Sequence, residues 1–244
     1  LIRVNCTFFI ILHFLPARSV LVLKLISVAI DGPVGAGKST IARTAAERLN
    51  YIYCDTGALY RAVGLYCHRN GVDMNDPSAI AVSMGNINAD IRLVDGVQRI
   101  FLNGEDVSDE IRLPEISMAA SAVSAVPAVR SALLGLQREI AEKNSVIMDG
   151  RDIGTVVLPN ADVKIFLTAK PEIRAKRRYG ELIAKGKDVT FEEVLNDLNQ
   201  RDYNDSHRAA APLRQAADAV LADTSELDFG QSVDLVCGLI KERL

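Results

Sequence analysis

The sequence predicts an α/β fold, a parallel sheet flanked by helices, from three features. Short apolar runs at 26–30 (ISVAI), 145–148 (SVIM) and 163–167 (VKIFL) have the continuous character of strands covered on both faces. Stretches of helical periodicity separate them, as crossovers between parallel strands require. A glycine-rich turn, GPVGAGKS at 32–39, follows the first run directly and leads into a helical pattern at 40–49.

That turn is a complete phosphate-binding loop. Gly32 and Gly37 frame four residues, and Lys38 and Ser39 follow. Wrapping a polyphosphate takes successive backbone N–H groups pointing inward, and a side chain at Gly35 or Gly37 would block the approach. Lys38 brings mobile positive charge. Ser39 offers a hydroxyl to Mg2+, and the helix that follows turns its N-terminal N–H groups towards the same phosphates. The predicted ATP site is therefore Gly32, Pro33, Val34, Gly35, Ala36, Gly37, Lys38, Ser39 and Thr40.

The 244 residues can bury a sizeable core. A formal net charge of −3 argues against a nucleic-acid-binding domain, so phosphate binding has to come from local clusters. Cys6, Cys54, Cys67 and Cys237 have no paired or metal-like spacing and read as reduced core thiols. With only His13, His68 and His207, a histidine-based metal site is not expected. The apolar run at 6–15 is too short to span a bilayer and is followed by Pro16 and Arg18. Residues 1–24 read as an upstream extension, with the functional chain expected to begin near Val20 or Val22.

After the loop helix, residues 51–54 read as a second strand ending in Asp55, and a helix opening near Gly57 carries Tyr60 and Arg61. Ligands gather at the carboxyl ends of strands in an open parallel sheet, which suits a second substrate here. An ordinary N-cap by Asp55 or Thr56, with Arg61 on a solvated face, is equally consistent with the spacing. Residues 72–84 read as a loop and a helix around Asp76 and Pro77. The runs 91–94 and 97–102 about Asp95-Gly96 form a hairpin signal, and Asn103-Gly104 turns the chain again. Residues 119–136 are Ala-rich and helical, with Pro127 suited to the first turn of a new helix and Ser124 close to its cap. Ser121 and Arg130 lie in this segment.

The run at 145–148 ends in Asp149, the position expected of a carboxylate that helps hold Mg2+ beside the loop serine. Arg174, Lys176, Arg177 and Arg178 form a basic cluster on a helix that ends towards Gly186, consistent with a solvated face or with a closing lid. Thr190 with Glu193 marks a capped helix start. On the helix at 195–208, Arg201, Asp205 and Arg208 fall on one face, either as an ion-pair ladder or as a binding set. Residues 219–221 with Asp223 read as the last strand and 229–244 as a closing amphipathic helix.

The motifs GPVGAGKS, DTGALYRA at 55–62, DGRDIGTVVLP at 149–159 and RDYNDSHRAAAPL at 201–213, in this order, resemble the bacterial cytidylate kinase family from about Leu25 to the C-terminus. The resemblance implies a P-loop NTPase core (25–70, 137–170 and 190–244), a small antiparallel nucleotide-binding insert (71–136) and a short lid (171–189). It implies ATP-dependent phosphorylation of CMP and dCMP, with ATP and Mg2+ as cofactors, by a cytoplasmic monomer that binds neither nucleic acid nor membrane. It assigns Lys38, Arg151 and Arg178 to catalysis, and Ser39 and Asp149 to the metal. Thr56, Arg61, Arg151 and Arg208 go to the acceptor phosphate, Ser121, Arg130 and Asp152 to the cytosine edge, and Arg201 and Asp205 to the pentose. Thr56 departs from the serine that family members often carry; the hydroxyl survives with an added methyl. A shikimate-type or adenylate-type kinase is the nearest rival, opposed by the hairpin insert and the 201–208 helix. A one-nucleotide switch module is the more distant one, in which so many strand-end arginines would be surplus.

Overall fold

The structure, a computed structural model, describes residues 24–94 and 97–244. The run at 6–15, the expected start near Val20 or Val22, and the Asp95-Gly96 turn lie outside them. In order the elements are β1 (Ser27–Asp31), α1 (Lys38–Leu49), β2 (Ile52–Asp55), α2 (Thr56–Arg69), α3 (Pro77–Ser83), β3 (Ala89–Val94), β4 (Val97–Leu102) and β5 (Glu105–Asp106). They continue with α4 (Pro114–Ser124), α5 (Pro127–Lys143), β6 (Val146–Gly150), β7 (Val163–Thr168), α6 (Pro171–Ala184), α7 (Phe191–His207), β8 (Val220–Asp223) and α8 (Phe229–Lys241).

Five strands form one parallel sheet in the order β2-β6-β1-β7-β8. Alternation along each strand loads both faces. Val28, Ile30 and Ile147 pack with Ile41, Ala42 and Ala45 of α1 and Val233, Val236 and Ile240 of α8. Ala29, Val146 and Met148 pack on the other face with Ile153 and Val157. Burial on both faces is why these strands read as uninterrupted apolar runs. Because β1 lies between β6 and β7, the loop at its carboxyl end opens over the middle of the sheet, where ligands of such sheets bind.

The predicted hairpin is the antiparallel pair β3 and β4, in register from Ala89↔Leu102 to Val94↔Val97, with β5 added after the turn at Asn103 (φ 51°) and Gly104 (φ 89°). Ile100 and Leu102 bury it against Ala58, Ala62 and Leu65 of α2. Pro127 sits in the first turn of α5 as expected, but the cap is Val126 with no side-chain bond. Ser124 instead donates to the Ser121 carbonyl at 2.8 Å. Both halves of the Thr190/Glu193 capping box form. Helix α7 ends at His207, ahead of Pro212, and Arg208 follows in extended conformation. No single helix among the described residues is long and apolar enough to cross a membrane.

Candidate active site

The carboxyl ends of β2 and β6, the loop after β1 and faces of α1, α2, α4, α5, α6 and α7 line one cleft of about 470 Å3. At its floor, Gly32 has φ 152°, and a Cβ there would lie 1.9 Å from the Leu167 carbonyl oxygen, so the loop leaves the sheet only with glycine in place. Gly35 and Gly37, with φ 74° and 83°, take the left-handed conformation that wrapping requires. Lys38, 6% exposed, donates to the Pro33 carbonyl at 2.6 Å. Burial and the nearby Arg151 guanidinium push its ammonium below the ordinary value. Gly32, Pro33 and Ala36 are buried beneath the loop; Val34, Gly35, Gly37, Lys38, Ser39 and Thr40 line the cleft.

Beside the loop, Ser39 Oγ donates to Asp149 Oδ2 at 2.9 Å and the Tyr53 hydroxyl donates to Oδ1 at 2.8 Å. The β2–β6 register sets Asp55 next to Asp149, and burial together with that like charge raises the Asp149 carboxyl. A buried carboxylate raised by its surroundings gains from a cation. A hydroxyl and a carboxylate are hard oxygen donors that suit Mg2+, which keeps waters and phosphate oxygens for its other positions. The donor set fits the ion.

Further along the cleft, the Asp55 turn is the N-cap expected, but Arg61 is not on a solvated face. Asp55 caps α2 by accepting from the Ala58 N–H at 3.0 Å, and Arg61 Nη2 donates to its other oxygen at 2.6 Å while lining the cleft. Thr56 Oγ1 donates to the Asp149 carbonyl at 2.8 Å. The ladder reading of α7 does not hold. Asp205 accepts from Arg151 Nε at 2.7 Å, and Arg208 reaches Asp152 Oδ1 at 3.2 Å and Ser124 Oγ at 3.0 Å. Asp152 Oδ2 accepts from Arg130 Nη2. Burial alone would raise the Asp205 carboxyl, but Arg151, with Arg208 and Arg201 beside it, holds the group below its ordinary value. Arg201 is pushed down to about 10 by burial and by Arg151.

The Nε atoms of Arg61 and Arg201 are buried with no partner among the described residues. Eight arginines and two lysines line the cleft against five carboxylates. Orphaned buried donors and surplus positive charge together call for anionic ligands. Every residue assigned above to the acceptor, the cytosine edge, the pentose and the metal lines this one cleft, as does Arg178.

The basic cluster divides. Arg174 is 4% exposed and bonded to the loop, and Arg177 Nη2 donates to the Thr224 carbonyl at 2.7 Å, so both are tied into the core. Arg178, paired with Glu181 at 3.0 Å, and Lys185 face the cleft. Sequence reasoning missed Tyr53, Asp31, Lys185 and Asp202. Asp31 accepts the Ile153 and Gly154 N–H groups, both at 2.7 Å, and so pins the 149–154 segment to β1. Burial lifts its carboxyl to about 6 although both N–H donors pull it down. A carboxylate ending a buried strand directly before Gly32 was the available signal. Nothing local marked Tyr53 or Asp202.

A phosphate-binding loop on the central strand, an oxygen pair suited to a divalent cation and an arginine-lined second half of the same cleft define an α/β phosphotransferase for two anionic substrates. The cytidylate kinase profile matches residues 28–242, and the chain belongs to that family. It is 50% identical to a cytidylate kinase of Caldicellulosiruptor bescii, over 89% of this chain and 96% of the relative, and 51% identical to one of Leuconostoc mesenteroides, over 87% and 93%. A solved structure of an uncharacterized protein from Eubacterium ventriosum, 14% identical, superposes with a TM-score of 0.50 over 89% of this chain and 99% of its own. That likeness concerns the fold alone.

Proposed function

We propose that the chain transfers the γ-phosphoryl group of ATP to the phosphate of CMP or dCMP, giving ADP and the nucleoside diphosphate. The observation that carries this reading is the single cleft with the phosphate-binding loop at one end and the Arg130–Asp152 pair at the other. Cytosine presents one donor, N4, beside two acceptors, N3 and O2. A carboxylate next to a guanidinium offers the complementary acceptor and donors. Uracil would set its O4 against the Asp152 oxygen with no hydrogen between them. Ser121, on α4, completes this end.

The acceptor phosphate is largely ionised at neutral pH because its second pKa is near 6, so no general base is required. What remains is to hold two anions in line and neutralise the charge spread over the equatorial oxygens. Lys38 and the loop N–H groups hold the donor phosphates. Thr56, Arg61, Arg151 and Arg208 bind the acceptor phosphate, and the free Nε of Arg61 is the donor left for it. Arg201 and Asp205 hold the pentose, with Arg151 keeping Asp205 ionised as an acceptor for sugar hydroxyls. Arg178, on the part of the 171–189 lid that lies beyond the core-bonded Arg174 and Arg177, closes on the transferring group; a guanidinium so placed is worth about 10³-fold or more in rate. Ser39 and Asp149 would hold Mg2+, which would supply positive charge against the repulsion between the donor and acceptor phosphates.

The test is a coupled ADP-release assay with ATP and Mg2+, offering CMP, dCMP, UMP, AMP, GMP and shikimate in parallel. Turnover concentrated on the two cytidine nucleotides is expected. A different preferred acceptor refutes the base-reading assignment, and no turnover with any of them refutes the kinase reading.

A further inference from the structure

The backbone of Val34 is held on both sides from behind the phosphate-binding loop. Its N–H donates to Asp202 Oδ1 at 3.1 Å, and its carbonyl accepts from Arg174 Nη1 at 2.8 Å. The same Arg174 nitrogen donates to Asp202 Oδ2 at 2.6 Å, and Arg174 Nε donates to the Ala169 carbonyl, just past β7, at 2.9 Å. The fit is close: a Cβ on Gly35 would come within 3.3 Å of both Arg174 Cβ and Leu198 Cδ2. Arg174 lies in the first turn of α6, one turn before Arg178. Asp202 lies on α7 between Arg201 and Asp205. The helix bearing Arg178, the helix bearing the pentose residues and the donor-phosphate loop therefore meet at one ionic node.

We propose that Arg174 and Asp202 are positioning residues that fix the loop's conformation and hold it in line with the acceptor half of the cleft; this rests on the phosphoryl-transfer reading above. A buried ion pair is a poor way to gain stability, since apolar residues of similar volume do as well or better. What this pair supplies that an apolar pair lacks is two directed bonds to the backbone of a single loop residue, one on each of the peptides that flank it. In-line transfer is sensitive to such placement, because a shift of about 1 Å between reacting groups costs on the order of 10²-fold in rate.

The experiment compares Asp202→Ala and Asp202→Asn with the unmodified protein. The Asn variant is isosteric and keeps an acceptor for the Val34 N–H, so it carries the test if the Ala variant does not fold. Steady-state kinetics with CMP and Mg-ATP are measured, together with amide exchange over residues 32–38 in the nucleotide-free protein. The expected result for Ala is a kcat lower by about tenfold or more with the KM for CMP within about twofold, and faster exchange in the loop; Asn recovers part of both. A kcat within about twofold of the unmodified protein, unaltered loop exchange in either variant, or a loss that tracks only a lowered unfolding midpoint overturns the proposal. If the unmodified protein does not turn over CMP, the functional reading has failed instead, and loop exchange still decides whether the node sets the loop.

Discussion

Removing the Asp152 carboxylate tests the base-reading end of the cleft. Asp152 is 4% exposed and, among the described residues, is the only carboxylate bonded to Arg130 and Arg208, whose side chains are 11% and 8% exposed. Asp152→Ala leaves two largely buried guanidinium groups close together with no carboxylate bonded to either. An uncompensated buried charge of this kind costs about 3–5 kcal/mol. For a chain of this size each kcal/mol lowers Tm by about 2–4 °C, so thermal unfolding should come roughly 6–20 °C earlier. The proposed bond from cytosine N4 to this carboxylate would be lost as well. A hydrogen bond to a charged group is worth about 1.5–3 kcal/mol, or roughly 10- to 150-fold in kcat/KM for CMP. UMP, which gains nothing from the carboxylate, should be spared that loss, so the preference for CMP over UMP collapses. The assay is ADP release at varied CMP and UMP, with a thermal melt on the same samples. A variant that keeps the CMP-to-UMP ratio of kcat/KM refutes the assignment whatever its Tm.

Lys38→Ala should reduce kcat by about 10³-fold or more with the fold retained by circular dichroism, and unchanged kcat would remove the loop from the mechanism. Asp205 is held below its ordinary pKa by Arg151 in the folded chain, so its stabilisation is present above the unfolded value of about 4 and is lost as pH falls through the folded value. The Tm gap between the unmodified protein and Asp205→Asn should therefore shrink from about pH 6 to about pH 3, and a constant gap would contradict the pairing. Gly32→Ala should abolish ATP binding or folding, because its methyl would meet the Leu167 carbonyl oxygen at 1.9 Å; tight nucleotide binding by a well-folded variant, measured by calorimetry, would show that the loop can leave the sheet another way.

Much of the fold was legible because its signals are local. The phosphate-binding loop, the capping box at Thr190, the turn at Asn103-Gly104 and the proline at the start of α5 each depend on backbone geometry within a few residues. The candidate site was legible by residue type, since carboxylates and arginines at strand ends face the crevice of a parallel sheet. Partners were not legible. The single-face spacing of Arg201, Asp205 and Arg208 left a ladder open, and the helix ends at His207, so Arg208 leaves that face and pairs with Asp152. Arg174, Arg177 and Arg178 look alike in a basic run, yet two are bonded into the core and one faces the cleft.

By itself the sequence determined that this chain builds a parallel α/β core around a phosphate-binding loop, and its motifs determined the family. The tertiary structure decided which charges meet. Strand order and register bring Asp55 beside Asp149, Asp31 under the 149–154 segment and Asp202 behind Val34, across separations that no local periodicity encodes. The physical reason is that secondary structure answers to neighbours along the chain, whereas burial, ion pairing and the pKa of a carboxylate answer to neighbours in space, which exist only once the sheet has set its order.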